Sequence, residues 1–302
     1  ILESLKAILY FSIFNYPLQK NEIFKFSKTP KTEILEAELE ELQSKNIIKN
    51  VDGFYIYKDT DSIVKRRQNG NQLAKQVLPK AFKRAQFIAK FPYVESVSLS
   101  GGLSKNYYDD EGDFDFFIIT KTKRLWIGRT LLIVYKKLFL NNNKKHFCVN
   151  YFISNEHLEI HEKNIFTATE IMTLIPITGK DIFEKFMTNN TWAKSYLPNI
   201  SRNTLETVLE VKKPLFTKAI QAICNTKLGN MLEVFFRKIT VNKWQKKFTD
   251  LSKSELEIAM KSTTDVSKHH PRNFQKKVIH ALNKKYLEVK EQHEIILAPE
   301  HD

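Results

Sequence analysis

Residues 98–119 read SLSGGLSKNYYDDEGDFDFFII, and this stretch decides how the rest of the chain is interpreted. An apolar alternation predicts a strand over 94–100, and two glycines at 101–102 end it. A second apolar run predicts another strand over 113–120. Aspartate is depleted in strands, so two aspartates at the start of a Phe/Ile run need a physical reason.

The alternation of side chains along a strand places Asp113 and Asp115 on one face. Neighbouring carboxylates repel each other unless a cation lies between them, and Mg²⁺ is a hard ion that prefers such oxygens. Gly101 and Gly102 lack side chains, so their main-chain N–H groups can approach a phosphate closely. A phosphate-binding corner beside a metal-binding pair is what phosphoryl or nucleotidyl transfer requires. The alternative is an exposed acidic turn at 109–111 that runs into an ordinary strand.

This pattern resembles the nucleotidyltransferase superfamily of DNA polymerase β. The signature of that superfamily is a Gly followed by Gly or Ser, a spacer of about the length found here, and two Asp that flank one apolar residue. The resemblance covers about residues 85–155. A narrower resemblance, to bacterial nucleotidyltransferase-domain proteins, rests on stretches at 124–127 (RLWI), 150–152 (NYF) and 192–199 (Trp, then LPN at its end).

The resemblance implies an enzyme that transfers a nucleoside monophosphate from an NTP to an acceptor and releases pyrophosphate. Asp113 and Asp115 would be catalytic and would bind the metal, with two Mg²⁺ ions expected. The phosphates of the nucleotide would contact four residues: Gly101, Gly102, Ser104 and Lys105. The resemblance does not indicate the acceptor, which is a small molecule, a protein or an RNA.

Members of the superfamily usually supply a third carboxylate from a later strand. In the strand predicted next, alternation puts Cys148, Asn150 and Phe152 on one face, so Asn150 stands where an acid is expected. An amide oxygen can ligate a metal, but it cannot accept a proton as a general base. We therefore take Asn150 as the third catalytic candidate, with Glu159 or Glu170 as carboxylates that could replace it. The competing hypothesis is a nucleotide-binding regulator without catalytic activity.

Residues 1–60 predict a small module of three helices followed by a hairpin. Apolar residues recur at helical spacing in three stretches. The Asp52-Gly53 dipeptide lies between two β-rich runs and predicts a tight turn. This order resembles a winged helix-turn-helix, in which the third helix enters the major groove of DNA. Here the third helix carries five Glu against two Lys, so phosphate would repel it. We do not expect this module to bind DNA, and a role in packing or partner docking is the better interpretation.

The chain carries a net charge of +14, and residues 1–60 contribute none of this excess because they hold 8 Lys against 9 acidic residues. Two basic stretches, 235–247 and 268–272, are candidates for contact with an anion, nucleic acid or an acidic membrane surface. Ordinary packing with solvated lysines is the competing interpretation. A nucleic-acid-binding regulator therefore stands as a third functional hypothesis.

We predict an α+β fold in three units: a winged-helix-like module in 1–60, a small mixed-sheet nucleotidyltransferase core in 61–165 and a helical region in 166–302. No apolar run is long enough to span a bilayer, and the first residues do not read as a signal peptide. Cys148 and Cys224 are too far apart for a metal motif. They favour a reduced, cytoplasmic setting over a disulfide framework.

Overall fold

A computed structural model describes residues 2–58, 60–143, 145–201, 205–249, 258–270 and 273–301. Within these ranges the chain is a mixed α+β protein with eleven α-helices and two sheets. The predicted α+β class is confirmed. In the same ranges we find no helix that combines the length and the apolar character needed to cross a membrane.

The N-terminal part consists of three helices and a three-stranded antiparallel sheet of order β1-β3-β2. Its elements are α1 (Glu3–Ser12), β1 (Leu18–Gln19), α2 (Lys20–Phe26), α3 (Thr32–Ser44), β2 (Lys49–Val51) and β3 (Phe54–Ile56). Asp52 and Gly53 both have positive φ, at 53° and 82°, as the tight turn between β2 and β3 requires. The predicted hairpin is therefore confirmed.

A five-stranded sheet of order β7-β4-β5-β6-β8 forms the centre of the molecule. Its strands are β4 (Val94–Ser100), β5 (Asp115–Thr120), β6 (Cys148–Ser154), β7 (Ile175–Thr178) and β8 (Val266–Lys268). The β5–β6 pair is parallel, and the other three pairs are antiparallel. The parallel pair requires a crossover, which α5 (Leu125–Phe139) provides.

Alternation along β5 divides the core into two layers. Phe116 and Ile118 pack in one buried cluster with α5 and with α4 (Ser62–Ile88). Phe117 and Ile119 pack in another, on the opposite face, with α6 (Ile165–Met172) and α7 (Lys180–Asn189). Asp115 has the parity of Phe117, so its side chain belongs to the face that α6 covers.

Both edge strands of this sheet come from the region 166–302, which we predicted to be helical only. β7 and β8 are four and three residues long, too short for a periodic pattern, and pairing with β4 and β6 defines them. The alternation at 157–161 (HLEIH) predicts a further short strand, and this prediction is wrong, since these residues form no strand.

Helical patterns in the sequence also predict helices over 203–211, 214–247 and 252–261, which differ in detail from those observed. One long helix expected at 214–247 is two, α9 (Leu215–Cys224) and α10 (Lys227–Lys247), after the short α8 (Ala193–Tyr196). The helix expected at 203–211 contains a single 3₁₀ turn in its described part. The helix expected at 252–261 falls mostly outside the described residues, as do Pro271 and Arg272 of the basic run.

The N-terminal part shares its core with the last helix, α11 (Phe274–His293). Leu5 and Leu9 of α1 belong to the same buried cluster as Leu282 and Val289 of α11. The long α4 is joined to the N-terminal part as well, because the guanidinium of Arg67 is buried in an ion pair there. Apolar packing thus joins the N-terminal part to α11, and the Arg67 ion pair joins it to α4.

Candidate functional site

The register of β4 and β5 brings the glycine corner against Asp115. Ser100 pairs with Asp115, so Gly101 leaves β4 directly beside this carboxylate. Gly101 has φ +68°, and a Cβ added to it would lie 2.5 Å from Oδ2 of Asp115. Both the left-handed backbone and the close approach therefore require glycine at this position.

Asp113 lies two residues before β5, which begins at Asp115 and not at 113 as predicted. Phe114, fully buried between the two aspartates, holds the segment in place: its N–H donates to the carbonyl oxygen of Lys145, and its carbonyl accepts the N–H of Cys148, both at 3.0 Å. The carboxylate oxygens of Asp113 and Asp115 and the Sγ of Cys148 lie within 4.8 Å of one another. The two carboxylates therefore converge as the sequence predicts.

The proximity of the two carboxylates affects their ionisation. Burial, then the negative charge of Asp113, raise the pKa of Asp115 from 3.8 to about 7, and a hydrogen bond from Cys148 opposes this shift. A carboxyl held this far above its usual pKa favours either a proton or a cation beside it. Such a perturbed pair is typical of functional sites.

Cys148 is a site residue that the sequence did not single out. It pairs with Asp115 in the parallel register of β5 and β6, and its side chain is buried. Burial, then the charges of Asp115 and Asp113, raise the pKa of the thiol far above its usual value. The neutral thiol donates to the carboxylates, and a soft, protonated sulfur does not suit Mg²⁺ as a ligand.

Asn150 is the extra residue of a β-bulge. The alternation of side chains along β6 therefore differs from the prediction. The register runs from Phe116–Val149 directly to Phe117–Tyr151, so Asn150 has no partner on β5. As a result Tyr151, and not Phe152, lies on the face of Asp115. The Asn150 side chain nevertheless reaches the pair, because its Nδ2 donates to Oδ1 of Asp115 at 3.3 Å.

The turn after Gly101 brings two further predicted residues to the corner. Ser104 Oγ and Lys105 Nζ both donate to the carbonyl oxygen of Gly101, at 2.9 and 3.1 Å. Gly102 is exposed at the outer side of this turn. The carbonyl oxygen of Lys105 accepts the hydroxyl of Tyr16, which ties the turn to the N-terminal part.

Glu170 on α6 brings a third carboxylate close to the aspartates. Its Oε1 lies 2.8 Å from Nζ of Lys105, and its charge contributes to the raised pKa of Asp115. Glu159, the other carboxylate considered for this role, pairs with Lys163 at the surface. Of the two acids, the fold therefore brings Glu170 to the site and leaves Glu159 away from it.

The segment around β8 closes the β6 side of the site. The N–H of His269 donates to the carbonyl oxygen of Asn150 at 2.9 Å. Burial and the nearby Lys268 lower the pKa of His270 to about 4, so this imidazole is neutral at physiological pH. Since β8 ends at Lys268, the 268–270 part of this basic stretch lies at a strand end beside the site.

Seven predicted residues thus surround one corner of the sheet: Gly101, Gly102, Ser104, Lys105, Asp113, Asp115 and Asn150. Comparison of the chain with protein-family models, with curated proteins and with solved structures found no match. The resemblance drawn from the sequence therefore stays a prediction that rests on these residues and their geometry.

Proposed function

We propose that this chain is a Mg²⁺-dependent nucleotidyltransferase, which moves a nucleoside monophosphate from an NTP to an acceptor and releases pyrophosphate. The observation that carries the proposal is the convergence of Asp113 and Asp115 opposite Gly101, where a Cβ would collide with the Asp115 carboxylate. Two close carboxylates in a partly buried position are costly without a cation. Gly101 beside these carboxylates has no side chain, so a phosphate can approach its main chain closely.

The donor set fits Mg²⁺ through its oxygens. Asp113 and Asp115 would hold the ion, and Asn150 offers an amide oxygen within the same corner if its side-chain amide is flipped. When bound, the metal would neutralise charge on the phosphates. Cys148 stays protonated and serves the pair as a hydrogen-bond donor.

Lys105 and Glu170 form an ion pair that the incoming nucleotide would exchange. The Lys105 ammonium lies at the Gly101 carbonyl and is only partly exposed, at 13% of its side chain. A triphosphate at the glycine corner would compete with Glu170 for this cation. Glu170, freed from Lys105, would then be the carboxylate that accepts the proton of the acceptor hydroxyl.

The topology supports the finer fold assignment within this proposal. A strand, a glycine corner, an antiparallel strand with the Asp pair and a parallel third strand are the parts expected of the nucleotidyltransferase core. The order α1-β1-α2-α3-β2-β3, with β1 beside β3, supports a winged-helix-like module. The exposed face of α3 is acidic, with Glu36 and Glu41 paired to Lys20 and Lys45, which argues against binding of DNA by this helix.

A catalytically inactive nucleotide-binding regulator is the second candidate. It is favoured by Cys148 and Asn150, since neither of these β6 residues supplies a third carboxylate to the pair. The two candidates predict the same nucleotide affinity and differ in turnover. A single set of variants, tested for both NTP binding and turnover, can therefore separate the two candidates.

The test is pyrophosphate release from each of the four NTPs with Mg²⁺, followed by transfer of an α-phosphate label to protein, RNA or small molecules of a fractionated lysate. Asp113→Asn and Asp115→Asn remove one charge each with little change of shape, and Asp110→Asn is the control in the same segment. If the chain is an enzyme, it should release pyrophosphate. Asp113→Asn and Asp115→Asn should abolish this release, and Asp110→Asn should retain it. NTP binding without release would support the regulator. Salt-sensitive nucleic-acid binding that survives both substitutions would support the third hypothesis.

A further inference from the structure

Helix α9 exposes three large apolar side chains, while Ile220 packs inward. Leu215, Phe216 and Ile223 are 84%, 64% and 59% exposed, whereas the residues that it buries are Thr217 and Cys224. A surface helix of a globular protein normally does the reverse, because burial of apolar area drives its packing. The exposed face of α9 therefore has the character of a contact surface.

Helix α10 also exposes apolar side chains. Leu228, Met231, Phe235 and Ile239 recur at helical spacing, and all four are exposed, Met231 at 70%. Cys224 of α9 and the partly buried Phe236 of α10 belong instead to one inward cluster with Tyr93 and Ile127. We call Leu215, Phe216, Ile223, Met231, Phe235 and Ile239 the α9–α10 surface.

The charge around this surface has one sign. Residues 215–247 hold seven basic residues against one acid, Glu233. That acid is turned inward, since its carboxylate accepts the N–H groups of Trp126 and Ile127. Six lysines of the two helices are exposed: Lys218, Lys227, Lys238, Lys243, Lys246 and Lys247.

We propose that the α9–α10 surface binds the face of an anionic lipid bilayer, with its apolar side chains in the acyl-chain boundary and its lysines at the headgroup phosphates. Exposed Leu, Phe, Ile and Met flanked by lysine are what an interfacial amphipathic helix presents. The long lysine stems lie along the apolar boundary while their ammonium groups reach the phosphates. This docking does not depend on the nucleotidyltransferase activity.

Three other occupants fit the surface less well. A second copy would bring two like-charged helix pairs face to face, which electrostatic repulsion opposes. Nucleic acid would pair with the lysines but would leave exposed aliphatic side chains such as Leu215 and Met231 unburied. An acidic protein would match the charge, yet its apolar contacts would need grooves, and these side chains project from the helices. A bilayer needs no complementary pocket.

The test is flotation of the full chain with vesicles of phosphatidylcholine alone and with about 30% phosphatidylglycerol added, a composition that supplies the negative surface potential. We expect binding to the anionic vesicles that weakens as salt is raised. The double variant Met231→Gln/Phe235→Gln should lower the partition coefficient by about tenfold or more, because it removes two side chains from the acyl boundary. Lys238→Gln and Lys246→Gln should each lower it by about fivefold.

Matched controls separate lipid docking from a general loss of apolar surface or charge. Leu287→Gln/Ile296→Gln removes two exposed apolar side chains elsewhere, and Lys65→Gln removes an exposed lysine of α4. Both controls should bind vesicles as the wild type does. The proposal is overturned if the wild type floats equally with both vesicles or with neither. It is also overturned if Met231→Gln/Phe235→Gln binds normally, or if that variant instead dissolves an oligomer or loses an acidic protein partner.

Discussion

Substitution of Asp115 by Asn should stabilise the metal-free protein while it removes the metal site. In the folded chain, burial and Asp113 raise the pKa of the Asp115 carboxyl from 3.8 to about 7. Between pH 3.8 and about 7 the Asp115 carboxyl is therefore protonated in the folded state and ionised in the unfolded state. The free energy of unfolding consequently falls as pH rises through this window, and the loss is complete above about pH 7. Asn cannot ionise, so the variant does not lose this stability.

The size of the effect follows from the shift. The difference between 7 and 3.8 is about 3 pH units, which corresponds to an upper limit of about 4 kcal/mol at pH 8. Because Asp115 is only half-buried, solvent reduces this figure, and we expect about 1–3 kcal/mol. The amide keeps an oxygen for the hydrogen bond from Asn150, so little of the gain should be lost to a broken contact.

The assay is urea denaturation in the presence of a chelator at several pH values from 5 to 9. The stability difference between Asp115→Asn and the wild type should be smaller at pH 5 than at pH 7, and it should level off above about pH 7. Asp110→Asn, exposed in the preceding turn, is the control and should track the wild type. Added Mg²⁺ should then stabilise the wild type and not Asp115→Asn. A variant that is less stable than the wild type at every pH would refute the reasoning.

Three further predictions concern the corner and its supports. Gly101→Ala places a methyl group 2.5 Å from Asp115 Oδ2 in a left-handed backbone, so it should abolish metal binding. Gly53→Ala has the same backbone conformation but no atom within 4 Å of the new methyl group. It should lower the free energy of unfolding only by the backbone strain, about 1–2 kcal/mol. The close approach of Gly101 to Asp115 would be contradicted if both glycine variants had the same effect on metal binding and on stability. Arg67→Met breaks a buried ion pair and should cost about 3–5 kcal/mol of unfolding free energy, whereas Arg66→Met, whose pair is exposed, should stay within about 1 kcal/mol. A small cost at Arg67 would show that this contact does not hold α4 to the N-terminal part. Glu170→Gln should lower kcat for pyrophosphate release by about 10²-fold without weakening NTP binding, because it also removes the competitor for Lys105; an unchanged kcat would exclude Glu170 as the base.

The sequence predicted the elements whose patterns are long and regular. The limits of β4 were predicted correctly. The sequence also predicts one or two helices over 61–91 and a helix over 126–140, and α4 and α5 follow these stretches within a few residues because apolar spacing recurs over many turns. The convergence of Asp113 and Asp115 was predicted as well. The two residues are only two positions apart, so their proximity needs no long-range pairing, although β5 begins at Asp115 and Asp113 lies just before it.

The parts that failed depend on pairing between distant segments. The bulge at Asn150 cannot be read from β6 itself, since one extra residue appears only when the register with β5 is known. The same register brings Cys148 to Asp115. Glu170 reaches the site because α6 packs on the face of Phe117, and no local pattern indicates that contact.

The central claim, that Asp113 and Asp115 opposite the glycine corner form a divalent-cation site, is tested most directly by titration of Mn²⁺, monitored by electron paramagnetic resonance, in the presence of a non-hydrolysable NTP analogue. The wild type and Asp110→Asn should bind the ion with similar affinity, and Asp113→Asn and Asp115→Asn should lose it. Mn²⁺ that remains free with the wild type, or that both site variants bind as tightly as the wild type does, would contradict the claim.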